Sequence, residues 1–218
     1  MIRSLTLVRH GESQWNAIRV IQGHLDSPLS EAGRAQARAL SAVLRRVECD
    51  RVFSSDLSRA METGRLALGS DAEIIAEPRL REHCFGRWQG LSPEDVQRRF
   101  PDEWRSYRAD PLTVRPEGGE SVMDLRDRVA GLLDEWHERL AGRRVLVFTH
   151  GGVVRVSVMV ALGLPLSPWG RLRVPNASVT SLEFGRNGAR LLCFGSVGHL
   201  EALKVVAGTA EEVNGDAG

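Results

Sequence analysis

The stretch Val145–Leu146–Val147–Phe148–Thr149–His150–Gly151–Gly152 is an apolar run that ends in histidine and two glycines. A short, continuous apolar run fits a strand covered on both faces, as in the middle of a parallel sheet. Gly152 to Leu162 is apolar nearly all round and predicts a buried helix. The same design stands near the N-terminus, where Leu5–Thr6–Leu7–Val8–Arg9 leads into His10 and Gly11. In an open α/β sheet, ligands bind beyond the carboxyl ends of the strands. If the two strands are parallel neighbours, His10 and His150 share that edge. Glycines there let backbone approach a ligand closely. The helix after His150 points its positive end at the same spot, where an anion is stabilised. One strand–His–Gly element is most simply a satisfied polar residue at a strand end. Two of them, with Arg9 beside one and Arg59 early in a helix that follows another strand, point to an anion site.

The rest of the chain supports an alternating α/β pattern. Ser30 reads as an N-cap with Glu31 behind it. Ala32, Ala35, Ala39, Leu40, Val43, Leu44 and Val47 then fall at helical spacing. Arg51–Ser54 reads as a strand, Asp56 as a cap for a helix to about residue 68, and Glu73–Ala76 as a short strand. Residues 77–120 are rich in Pro, Gly, Trp and charge, with one helix start at Ser92–Pro93. They read as an inserted lid. Ser121 begins a helix whose stripe is Val122, Leu125, Val129, Leu132, Leu133, Trp136 and Leu140. Asn187–Gly188 marks a hairpin between two late strands. The fold class expected is a three-layer α/β/α sandwich with a mainly parallel central sheet. It forms one domain over residues 1–208, with the lid at about 77–120 and a loose tail at 209–218.

Composition narrows the function classes. The 218 residues are 42% hydrophobic and 26% charged, with a net charge of +1. No global field draws such a chain to nucleic acid or to a membrane. No apolar run is long enough to span a bilayer, and no signal-peptide pattern opens the chain. Cys49, Cys84 and Cys193 are odd in number and far apart, with no CxxC, so neither a disulfide framework nor a cysteine-held metal is expected. Cytoplasmic location is the default. Lys204 is the one lysine, so arginine supplies nearly all the positive charge.

Several separated motifs now make a specific resemblance. LVRHGES at 7–13, Asn16, IQGHLDSPLSEAGRAQA at 21–37, SSDLSRAMET at 54–63, LREHCFGRWQGLS at 80–92, PEGGES at 116–121 and FTHGGVVR at 148–155 occur in the order of the histidine phosphatase superfamily, also called phosphoglycerate mutase-like. The chain resembles the compact bacterial phosphatases of broad specificity in particular. The resemblance implies that His10 attacks phosphorus and becomes a phosphohistidine, while Arg9, Arg59 and His150 surround the phosphoryl oxygens. It implies that Glu82 protonates the leaving oxygen. Asn16 and Gln22 match positions near the phosphate, and Gly23 and Gly151 are counted with them in the binding pocket.

The chemistry agrees with these roles. A nucleophilic imidazole must be neutral, with its remaining proton held by a fixed acceptor. Preformed positive charge around the equatorial oxygens is the main catalytic resource in phosphoryl transfer. An alkoxide leaves poorly, so Glu82 must deliver a proton, which calls for a raised pKa. No metal or cofactor is required when arginines neutralise the charge. His24 and His83 read either as lining the pocket mouth or as merely exposed, and His137 as solvated. Trp88, Trp104 and Tyr107 read as substrate contacts or as a satellite core.

The expected function is metal-independent hydrolysis of small phosphorylated metabolites by a monomer or homodimer. A cofactor-dependent mutase is the alternative. In such mutases a tyrosine follows the segment that resembles Glu82–His83, whereas Cys84 stands here, which favours hydrolysis. A binding protein without catalysis is at odds with the complete residue set. A histidine-metal hydrolase lacks any HxH or HExxH cluster.

Overall fold

The computed structural model describes residues 1–201. The expected tail at 209–218, and the end of the expected domain, lie outside them. The strands are β1 (Ser4–Arg9), β2 (Arg51–Ser54), β3 (Ile75–Ala76), β4 (Arg144–Thr149), β5 (Val179–Gly185) and β6 (Gly188–Ser196). They form one sheet in the order β3-β2-β4-β1-β5-β6. β3, β2, β4 and β1 run parallel. β5 runs antiparallel to β1, and β6 antiparallel to β5. β1 and β4 are direct neighbours, with Arg9 opposite Thr149. His10 and His150 therefore leave the sheet at the same edge.

The two apolar runs are continuous because both faces are covered. Alternate residues of a strand face opposite sides. Leu5 and Leu7 of β1 and Val145 and Val147 of β4 join one core, together with helices α7 (Val122–Arg139) and α8 (Gly151–Leu162). Val8, Leu146 and Phe148 join the other core, with Leu40 and Leu44 and with Ala67 of helix α4 (Ser58–Leu68). Phe148 is fully buried. Truncating it to alanine would destabilise the fold by about 3–5 kcal/mol. This is the three-layer arrangement expected, with the hairpin β5–β6 added at one side.

Two local expectations need correction. After helix α1 (Gln14–Ala17), the helix capped by Ser30 is broken at Leu40 into α2 (Glu31–Ala39) and α3 (Ser41–Leu44). Its buried face carries Gly33, Ala37, Leu40 and Leu44, and Ala32 is exposed. Glycine is needed at 33 because a Cβ there would collide with the carbonyl of Glu12, close in sequence to His10. Asp56 does not cap α4, whose N-cap is Leu57 without a side-chain bond. Asp56 instead pairs with Arg81 at 2.5 Å. The hairpin marked by Asn187–Gly188 is present as expected, with Arg186 and Asn187 at the tip between paired Gly185 and Gly188 and a positive φ of 95° at Gly188.

The 77–120 insert holds α5 (Pro93–Arg99), capped by Ser92 as expected, and α6 (Pro101–Ala109), which the sequence pattern did not reveal. Trp88, Val96 and Tyr107 bury against each other there, with Trp104 packed on them. The aromatics of the insert are its satellite core. No helix among the described residues is long and apolar enough to cross a membrane.

Candidate active site

His10 sits just past the end of β1 and is 2% exposed. Its main-chain N–H donates to Thr149 and its carbonyl accepts from Ala177. A carbonyl can only accept, so the 2.6 Å contact between His10 Nδ1 and Gly11 O places a proton on Nδ1. Nε2 is left as the lone-pair nitrogen. Burial pushes the imidazole well below the ordinary histidine range, with Arg59 and Arg9 adding to the effect and the Gly11 carbonyl opposing it. The ring is neutral.

His150 is buried behind His10, with ring centroids 5.0 Å apart. Its Nε2 meets Ser55 Oγ at 2.9 Å. Ser55 Oγ also accepts the N–H of Leu57. His150 Nδ1 is buried without a partner. Burial, and then Arg59, push this histidine well below its ordinary range too.

Arg9 donates from Nη1 to Val174 O, and burial pushes its pKa down to about 10, with Glu82 opposing. Arg59, on the first turn of α4, is 1% exposed. Its terminal nitrogens donate to the carbonyls of Gly23 and Leu25, and it pairs with Asp26 at 3.3 Å. The Nε atoms of both arginines are buried without partners. An unpaired buried donor costs about 1–3 kcal/mol. The two arginine donors suit a bound oxyanion, and His150 Nδ1 is a third unpartnered nitrogen among the site residues.

Glu82 accepts the Gly152 N–H at 3.0 Å, in the first turn of α8, and the His83 N–H at 2.9 Å. A Cβ at residue 152 would collide with the Glu82 carboxylate, so the second glycine after His150 serves this contact. His24 Nε2 donates to the Glu82 carbonyl at 2.9 Å.

A cleft of about 170 Å³ joins Arg9, His10, Asn16, Gln22, Gly23, Arg59 and Glu82 with the apolar Val20, Ile21 and Phe85. Of the site residues expected from the sequence, His150 and Gly151 do not line it. Gly151 lies against the Arg9 side chain, where a Cβ would stand 3.6 Å from Nε. Asn16 receives Asn176 Nδ2 at 3.1 Å, and Gln22 receives Ser13 Oγ at 2.8 Å. His83 is buried rather than at the cleft mouth, with Nε2 donating to Glu120 O. His137 is half-buried against Phe184 and accepts the Ile2 N–H, so it is not simply solvated.

The sequence alone did not single out Ser55, Thr63, Arg128 or Asn176. Thr63 bonds the Gly11 N–H, and Asn176 donates to the His10 carbonyl. Each acts across a long sequence separation. Only Ser55 and the closing Thr63 lie within a family motif, SSDLSRAMET.

Comparison with known proteins gives the family of the chain. Residues 5–196 match the histidine phosphatase superfamily (branch 1). Phosphoserine phosphatase 1 of Hydrogenobacter thermophilus is 37% identical over 186 residues, covering 84% of this chain and 88% of that protein. Phosphoglycerate mutase-like protein 4 of Arabidopsis thaliana is 39% identical over 155 residues, covering 69% of this chain and 67% of that protein. The crystal structure of the alpha-ribazole phosphatase from Shigella flexneri superposes with a TM-score of 0.83 at 27% identity, covering 88% of this chain and 96% of that one. With the motifs, the sheet and the cleft in agreement, the chain belongs to the histidine phosphatase superfamily.

Proposed function

We propose that His10 Nε2 is the nucleophile of a phosphomonoester hydrolase acting on small phosphorylated metabolites. The observation that carries this reading is a neutral, buried His10 with a free Nε2, beside two buried arginine donors that lack partners. The Nε2 lone pair forms the P–N bond as the ester P–O bond breaks. Glu82 gives its proton to the leaving oxygen. Arg9, Arg59 and His150 Nδ1 hold the equatorial oxygens, where charge accumulates. Water then attacks phosphorus and passes a proton to Glu82. The P–N bond breaks, the electron pair returns to His10, and inorganic phosphate leaves. Proton transfer of this kind contributes about 10²–10⁴-fold. The small cleft, partly walled by Val20, Ile21 and Phe85, favours a phosphoryl group on a compact alcohol over a phosphorylated protein.

Inorganic phosphate release from a panel of esters, with EDTA present, tests the reading. Phosphoserine, phosphoglycerates, sugar phosphates and α-ribazole phosphate make up the panel. Release by the wild type and not by His10→Ala is the expected result. Release by both proteins would refute the nucleophile. No release from any ester, with exchange of phosphoryl groups between phosphoglycerates, would replace hydrolysis by the mutase reading.

A further inference from the structure

Glu82 lies on irregular backbone, after the short 3₁₀ turn Pro78–Leu80 and ahead of the insert core. Its own main chain belongs to neither a strand nor a helix, although its carboxylate accepts the Gly152 N–H of α8. Arg128, on α7, does so from behind. Its Nη1 donates to the carbonyls of Arg79 and Arg81 at 2.7 and 2.9 Å, and its Nη2 to the carbonyl of Glu82 at 3.2 Å. The same guanidinium pairs with both carboxylate oxygens of Glu120, at 2.9 and 2.8 Å. Glu120 in turn accepts the Cys84 N–H at 2.9 Å, and its carbonyl accepts from His83 Nε2 at 2.7 Å. One ion pair thus holds the chain before and after Glu82. Arg128 is not among the residues that line the cleft.

We propose that Arg128 is a positioning residue for Glu82, holding the main chain so that the carboxyl meets the leaving oxygen. This rests on Glu82 being the proton donor. Guanidinium geometry is required, because a lysine ammonium is a point donor that cannot span three carbonyls and a carboxylate at once. A misplaced general acid slows phosphoryl transfer to His10 only from those esters whose leaving oxygen needs a proton, and kcat/KM reports that step apart from the later water attack, in which Glu82 serves every ester alike. A general structural staple would slow all esters alike.

The test compares glycerol phosphate, a poor leaving group, with 2,4-dinitrophenyl phosphate, which leaves without a proton. Arg128→Lys is expected to lower kcat/KM on glycerol phosphate by about 10²-fold and on the dinitrophenyl ester by less than about threefold. Glu120→Gln repeats the pattern with a smaller loss, so the outcome does not depend on the folding of one variant. On glycerol phosphate, Glu82→Gln/Arg128→Lys is expected to be no slower than Glu82→Gln alone, because both changes remove the same proton transfer. Equal losses on the two esters, or additive losses in the double variant, would overturn the role of Arg128. Equal losses in Glu82→Gln itself would overturn the acid assignment instead, which keeps the two failures apart.

Discussion

The two strand–His–Gly segments look alike in sequence and end at the same sheet edge, yet their histidines are wired in opposite senses. In His10 the Nδ1 N–H is bound to a carbonyl, and the lone pair on Nε2 is left free. In His150 it is Nε2 that is bound, to a hydroxyl, and Nδ1 is left without a partner. The first arrangement suits a nucleophile and the second a donor to an oxyanion. The difference lies in the backbone beyond each strand. After β1 the chain turns, and the Gly11 carbonyl comes back to the ring. After β4 it enters α8 at once, with His150 as N-cap, and its main chain cannot make the same return. The ring instead meets Ser55, at the end of β2. A local motif places a histidine, and its tertiary neighbours decide which nitrogen does the work.

This contrast can be broken by mutation. His10→Gln should lower turnover by about 10⁴-fold or more, since no group replaces the P–N bond. His150→Gln should cost less, about 10²–10³-fold in kcat, the range for losing one oxyanion donor. Steady-state phosphate release measures both. If His150→Gln were the more severe, the assignment of nucleophile and donor would be reversed.

Stability against pH sharpens the same comparison. Both histidines are held neutral by burial, then by Arg59. Above about pH 6.5 neither the folded nor the unfolded chain protonates them, and they cause no loss of stability. Below it the unfolded chain takes up protons that the folded chain refuses. Stability then falls by up to about 1.4 kcal/mol per pH unit for each histidine. Urea denaturation between about pH 7 and about pH 5 should show each His→Gln variant losing about that much of the slope. Unchanged slopes would mean that the histidines titrate normally in the folded protein.

The smallest expected effect is that of Ser55→Ala. It removes the partner of His150 Nε2 and lets the ring proton move between the two nitrogens. A neutral hydrogen bond is worth about 1 kcal/mol, so the loss should be about fivefold in kcat. The thermal midpoint should also fall, because the variant leaves the Leu57 N–H and His150 Nε2 buried without a partner.

Much of this was legible in the sequence because it is written locally. The apolar runs of β1 and β4, the caps at Ser30, Ser92 and Ser121, and the stripe of α7 each depend on residues a few positions apart. The errors arose where a distant partner outcompeted a local option. Asp56 had a cap to make and took Arg81 instead. The alanines of α2 marked one face, but the close approach of Gly33 to Glu12 rotated another inward. Helix α6 begins at a proline and is largely polar, so no stripe announced it. In the site, motifs carried His10, Arg59, Glu82 and His150. Ser55, Asn176 and Arg128 act through contacts 95, 166 and 46–49 residues away, which no spacing rule anticipates.

The central claim is that His10, and not His150, takes the phosphoryl group. Mixing enzyme with excess ester, quenching in base within the first turnovers and mapping peptides by mass spectrometry tests it directly. One phosphoryl group is expected on the peptide containing His10, lost in acid and absent from His10→Gln. A phosphoryl group on His150, or turnover with no labelled histidine at all, would contradict it.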